Sequence, residues 1–214
     1  MSEFLTLVAL SDTHSLHAEV DVPPADLVVV AGDFTMFDRD PAVVFSFNAF
    51  LGDLKTKHKP LVIYGNHEFG FEADPSRRKL LSNATVLVNE SVTIDGLKFW
   101  GSPVTTLYSG AFGMSNPKDR KALYETIDED TDVIVTHGPP YGILDGPPDT
   151  GERAGDEELL ERVMEVQPLL HIFGHVHAGY GMKRLGETLF INCALLGQGG
   201  GIQHSPIVIR LPRL

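Results

Sequence analysis

Five short apolar runs, each closed at its C-terminal end by metal-binding residue types, constrain this chain more than any other feature. Phe4 to Leu10 leads into Ser11-Asp12-Thr13-His14, and Leu27 to Ala31 into Gly32-Asp33. Leu61 to Tyr64 leads into Gly65-Asn66-His67-Glu68, and Val133 to Val135 into Thr136-His137-Gly138. Leu169 to Phe173 leads into Gly174-His175-Val176-His177. Continuous apolar runs of this length suit strands buried on both faces. Side chains at the C-terminal ends of neighbouring strands converge where α/β sheets bind ligands.

The segments between these runs alternate between helical and hairpin texture. Pro41 to Leu54 carries Val44, Phe47, Phe50, Leu51 and Leu54 at helical spacing, with Asp40 placed to cap its start. Pro117 to Ile127 and Asp156 to Val166 are two further helices, the latter opening on an acidic turn. Thr85 to Gly101 reads as a hairpin around Asp95-Gly96, and Gly181 to Asn192 repeats that texture around Gly186-Glu187 before a last run, Ile207 to Leu211. Two sets of strands with helices outside predict two stacked sheets. The 214 residues carry no repeat or linker and are expected to form a single domain, 1–214.

The five clusters combine imidazole with carboxylate, which favours Mn, Fe, Zn, Co or Ni over Ca. One intervening residue puts both members of Asp12/His14 and of His175/His177 on the same side of an extended segment. Glycines before Asp33, Asn66 and His175 allow sharp turns and leave room beside an ion. A carboxylate such as Asp33 can bridge two cations, and two ions roughly 3.5–4 Å apart clamp a phosphoryl group.

The order Asp-x-His, Gly-Asp, Gly-Asn-His-Glu, His, Gly-His-x-His, spanning residues 12 to 177, resembles the calcineurin-like metallophosphoesterase superfamily. The segments SDTHS, GDFT, GNHE, THGPP (Thr136 to Pro140) and GHVHAGYG (Gly174 to Gly181) are similar to its metallophosphoesterase-domain-containing, class III phosphodiesterase-like branch. The resemblance implies an α/β four-layer sandwich, two mixed β-sheets flanked by helices. It implies phosphomonoester or phosphodiester hydrolysis by a hydroxide activated by two divalent metals, Mn favoured. It further implies that Asp12, His14 and His177 hold one metal and that Asn66, His137 and His175 hold the other, with Asp33 as the bridge. His67 would then be a general acid rather than a ligand, and Glu68, next in the motif, would orient it. Ser102 to Tyr108 matches the branch loosely and Asn192-Cys193-Ala194 departs from it, so substrate preference transfers least well.

Three functional readings follow. The favoured one is hydrolysis of small phosphodiesters, cyclic nucleotides among them. The alternatives are a phosphomonoesterase or protein-phosphatase-like activity, and a non-catalytic scaffold of the same fold. A net charge of −12 disfavours extended nucleic-acid binding but leaves a small anionic substrate open at a cationic site. The single cysteine, Cys193, the absence of a signal-peptide pattern at the N-terminus and the lack of a ~20-residue apolar span predict a cytoplasmic protein off the membrane.

Other residues take plainer roles. His171 reads as a hydrogen-bonded core residue, His17 as surface, His58 as solvated and Cys193 as a small buried residue. His204 belongs to the loop after Gly197 to Gly201, which lacks the Gly-Lys-Ser/Thr ending of a phosphate-binding loop. Tyr108, Phe112 and Tyr141 are loop aromatics for which packing is favoured over stacking on a nucleobase. Arg77-Arg78-Lys79 reads as a solvated helix face.

Overall fold

The strand β1 (Phe4–Leu10) shows how one run serves two interfaces. Leu5, Leu7 and Ala9 point into one apolar cluster, while Val8 and Leu10 point into another. The period-two alternation of a strand separates these sets, and both faces are covered. The computed structural model of the chain describes residues 3–38, 40–106, 109–147, 151, 153–197 and 199–212.

In chain order the elements are β1, β2 (Leu27–Ala31), α1 (Pro41–Asp53), β3 (Leu61–Ile63), α2 (Phe69–Ala73), β4 (Thr85–Val86), β5 (Glu90–Ile94) and β6 (Leu97–Ser102). Then follow α3 (Pro117–Tyr124), β7 (Val133–Thr136), α4 (Glu157–Val166), β8 (Leu170–Phe173), β9 (Gly181–Leu185), β10 (Thr188–Asn192) and β11 (Ile207–Pro212). One sheet has the order β11-β1-β2-β3-β4 and the other β5-β6-β7-β8-β10-β9. Strands β1 to β4 run parallel, with β11 antiparallel on one edge. Strands β6, β7, β8 and β10 run parallel, with β5 and β9 antiparallel on the two edges.

The sheets meet through Leu7, Val29 and Ile63 on one side and Phe99, Val135 and Ile172 on the other. Outside the first sheet, Val44, Phe47 and Leu51 of α1 cover Val8, Val28 and Val62. Outside the second, Tyr124 of α3 and Leu159 and Val163 of α4 cover Trp100, Ile134 and Phe190. The layers are therefore helix, sheet, sheet, helix, the sandwich expected from the sequence. Truncating a ring as buried as Phe47 to alanine is expected to cost about 3–5 kcal/mol. Among the described residues no helix is long and apolar enough to cross a membrane.

The predicted caps are in place. Asp40 accepts a hydrogen bond from the Ala42 N–H, and Asp156 accepts from those of Glu158 and Leu159. Three expectations need correction. Thr85–Val86 leaves the hairpin and pairs with β3 in the first sheet, because Leu61 and Val62 present a free parallel edge there. The helix from Pro117 ends at Tyr124, where the Thr126 hydroxyl donates to the Leu123 carbonyl. The basic run 77–79 lies on a short 3₁₀ turn, Pro75–Leu80, in which Arg77 pairs with Asp38 at 3.2 Å and Arg78 with Glu90 at 2.6 Å.

Candidate metal centre

All the parallel strands deliver their C-terminal ends to one edge of the sandwich, and the two sheets are stitched together there. The Ser11 N–H donates to the Cys193 carbonyl and the Leu195 N–H to the Ser11 carbonyl, so the end of β1 bridges to the chain leaving β10. From that seam the backbone turns sharply. Asp12, His14, Asp33 and His175 all adopt left-handed φ values, 53°, 40°, 50° and 66°. Such residues carry about 1–3 kcal/mol of strain each and persist only where neighbours over-determine them. Here the Asp12 N–H is fixed on the Gly32 carbonyl, the His14 N–H on the Asp33 carbonyl and the His175 N–H on Asp12 Oδ2.

The seven residues expected to hold metal come together. Asp12, His14 and His177 form one group and Asp33, His137 and His175 another, each with its donor atoms within 4.8 Å of one another. His177 Nε2 lies 3.4 Å from Asp12 Oδ1, and His137 Nε2 lies 3.2 Å from Asp33 Oδ2 and 2.9 Å from Asn66 Oδ1. Asp33 also faces His14 Nε2 at 3.8 Å, which places it between the two groups. A Cβ at Gly65 would collide with Asp33 Oδ1 and lie 2.7 Å from His137 Cε1, so only glycine lets these loops approach.

The donors fit two divalent ions. Asp12 Oδ1 is buried with no hydrogen-bond partner among the described residues, yet imidazole nitrogens of His14 and His177 face it. A buried carboxylate oxygen left this way is costly unless a cation completes it. Burial opposes ionisation of Asp12, but the close approach of His177 and the charges of His137, His177 and His14 hold its carboxyl well below the usual range. Burial would also lower His137, but the charge and hydrogen bond of Asp33 raise it to about 10. His175 is lowered to about 4, first by burial and then by the charge of His137. It therefore stays neutral near pH 7, the form that ligates.

His67 lies at the mouth of this centre. Its Nδ1 meets the Met36 carbonyl, so that nitrogen carries the proton, and Nε2 sits 3.9 Å from Asp33 Oδ2. The Phe37 ring stacks on it at 4.7 Å and 26°. His14, Asp33 and His67 also form a group close enough to share an ion, so position alone does not separate ligand from acid.

Glu68 does not orient His67. Its fully buried carboxylate accepts from the N–H groups of Asp33 (3.0 Å), Gly65 (2.7 Å) and Thr35 (3.0 Å), and from the Thr35 hydroxyl (2.9 Å). The geometric reason is direct: Glu68 turns inward under the loop, whereas the His67 ring points out to Met36. Burial and the nearby charge of Asp33 push Glu68 up to about 8, against the hydrogen bonds that favour its ionised form.

Sequence reasoning missed several supports. The Ser11 hydroxyl donates to Asp12 Oδ2 at 2.5 Å. Asn192 Nδ2 donates to the carbonyls of Leu144 and Val176, gripping the residue between His175 and His177. The available signal for Met36 and Phe37 was an apolar pair inside the loop that follows a ligand. Other plain roles also change. His17 is buried against Phe47 and Phe50 with Nε2 2.9 Å from Ser46 Oγ, not on the surface. His58 pairs with Asp95 at 3.1 Å, and His204 stacks on Tyr180 at 4.0 Å. Two plain roles hold as expected: Phe112 packs on Tyr64 and Cys193 is buried; Tyr108 lies outside the described residues.

The family model of the calcineurin-like phosphoesterases matches residues 5–179. The chain belongs to the calcineurin-like phosphoesterase family. Its activity class is accordingly metal-dependent phosphoester hydrolysis. The human metallophosphoesterase domain-containing protein 1 is 36% identical over 236 residues, covering 98% of this chain and 72% of that protein. UPF0046 protein K07C11.7 of Caenorhabditis elegans is 36% identical over 225 residues, covering 98% and 76%. The crystal structure of TT1561 from Thermus thermophilus superposes with a TM-score of 0.61 at 13% identity, covering 88% of each chain. That likeness speaks for the fold alone.

Proposed function

We propose that this phosphoesterase hydrolyses small phosphodiesters, cyclic nucleotides among them. In this reading Asp12, His14 and His177 hold one divalent ion, and Asn66, His137 and His175 hold the second. Asp33 bridges them, and Mn is the favoured metal. Two ions held there would supply Lewis-acid charge to the phosphoryl group and acidify water.

The chain's own residues do the rest. Water supplies the oxygen of the new P–O bond and gives up a proton to solvent, the ester P–O bond breaks, and His67, acting as an imidazolium protonated on both ring nitrogens, gives its Nε2 proton to the leaving oxygen. The Met36 carbonyl keeps Nδ1 protonated, so Nε2 is the atom turned toward the centre. Glu68 is a positioning residue, holding the Asp33 and Gly65 backbones in one register.

The observation that favours a diester is the lining of the 290 Å³ cleft. His14, Asp33, Met36, Asn66, His67, His175, His177 and Leu196 form it, with no Lys or Arg among the described residues. A monoester carries about −1.5 to −2 charges near pH 7 and gains most from a cationic clamp. A diester is a monoanion and asks less. The buried lone Cys193 is in keeping with a reducing, cytoplasmic setting.

The test is turnover of 2′,3′- and 3′,5′-cyclic nucleotides with added Mn²⁺, beside a phosphomonoester panel. Cyclic diester hydrolysis is expected to exceed monoester hydrolysis. Rapid monoester cleavage with no cyclic turnover would overturn the reading.

A further inference from the structure

Next to the metal cleft runs a second, larger depression of about 610 Å³, whose walls include Phe37, Pro41, Phe69 and Leu80, with Asp38 and Arg77 among its lining residues. Large rings seldom stay in water without a reason, yet Phe37 is 43% exposed and Phe69 39%. Their centroids lie 6.4 Å apart, tilted by 33°. Phe37 joins the two depressions, because the same ring that lines the groove covers a face of His67.

The groove carries polar function as well. Asp38 accepts from the Gly70 N–H at 2.8 and 2.9 Å and pairs with Arg77 at 3.2 Å. Arg77 in turn lies 5.0 Å over the Phe71 ring, so its guanidinium is held by a cation–π contact as well as by Asp38. Arginine has five N–H donors, and the bonds to the Asp38 carboxylate and carbonyl engage two of its nitrogens. Aromatic walls with a fixed planar donor suit a flat heteroaromatic ring better than an alkyl chain, which would leave those donors without a partner. The 290 Å³ cleft by itself is at the small end for a nucleotide-sized ligand, so the remainder of such a ligand must extend beyond it.

We propose that the Phe37–Phe69–Arg77 groove seats the nucleobase of a nucleotide substrate, on the leaving-group side of His67. The proposal rests on the diesterase reading of the adjoining centre. It takes precedence over Phe112 and Tyr141 as a stacking site, since Phe112 is already stacked on Tyr64 and neither it nor Tyr141 lines the groove. The groove then determines specificity, distinguishing base-bearing phosphoesters from base-free ones without touching phosphorus.

The test is calorimetric binding to the Mn²⁺-loaded protein of adenosine 5′-monophosphate and of ribose 5-phosphate, which lacks the base. The nucleotide is expected to bind about tenfold or more tightly, the range of one base stacked on an aromatic side chain. Phe69→Ala should erase most of that ratio and leave ribose 5-phosphate unchanged. Phe69→Leu, which keeps apolar bulk without the ring, should lose most of it too. Equal binding of the two ligands by the unmutated protein, an unchanged ratio in Phe69→Ala, or equal weakening of both ligands would each overturn the proposal. Because binding and not turnover is read, failure of cyclic diester hydrolysis would remove the diesterase reading without altering this result.

Discussion

His137, just past the end of β7, and His171, inside the adjacent β8, are both fully buried, and their environments drive them in opposite directions. His137, just beyond β7, faces Asp33 and is raised to about 10. Among the described residues His171, inside β8, meets the Thr136 hydroxyl and packs T-shaped with Phe173 and Phe190, and burial lowers it to about 3. Thr136 donates its one proton to the Gly138 carbonyl, so His171 Nε2–H must be the donor in their 2.9 Å contact. The lesson concerns partners and not depth. A buried imidazole beside carboxylates becomes part of a charge centre, while one among phenyl rings becomes packing.

The strongest way to break this contrast is to remove the charge that creates it. Asp33→Asn should strip both ions, seen by elemental analysis, and lower kcat by more than about 10²-fold, the upper range for losses in the outer shell alone. Full occupancy of both sites would refute the bridge. His67→Ala should retain metal and lose about 10²-fold in kcat. Substantial metal loss there would make His67 a ligand.

A smaller effect is expected at the support beneath. Glu68→Gln turns an N–H₂ group toward N–H donors of Asp33 or Gly65, and should weaken metal affinity about 10–100-fold. Retention of metal affinity with a loss of kcat alone would show that the clamp acts elsewhere.

The gentlest test sharpens the core side. His171 has a lowered value when folded and an ordinary one when unfolded, so its contribution is complete above about pH 6.5 and is lost as pH falls toward 3. The slope in that window is about 1.4 kcal/mol per pH unit. His171→Phe should therefore flatten the decline of Tm between pH 6.5 and 4.5. An unchanged slope would mean that His171 is not the group taking up the proton.

Much of this protein was legible in its sequence, for reasons visible in individual residues. Leu27 to Ala31 could only be a strand buried on both faces, and the residues after each such run had to meet at one sheet edge. The convergence of the five strand-end clusters, the caps at Asp40 and Asp156, and His171 as packing followed from period, capping and composition, while the choice of seven ligands among those clusters came from the family resemblance. The misreadings share a cause. Chain neighbours suggest one role for His17, Glu68 and Arg77, but each is governed by a partner at least 29 residues away: Ser46, the Asp33 and Thr35 backbone, and Asp38.

Sequence by itself determined that this chain would build two sheets and a cluster of His, Asp and Asn at their ends, because periodicity and residue chemistry are local properties. Tertiary structure alone decided that Glu68 braces Asp33 instead of His67, and that Met36 and Phe37 fix the His67 ring. It also decided that Phe37 and Phe69 line one groove beside the centre. Those outcomes depend on where loops from different strands cross, and no spacing along a single chain encodes the direction in which one side chain turns.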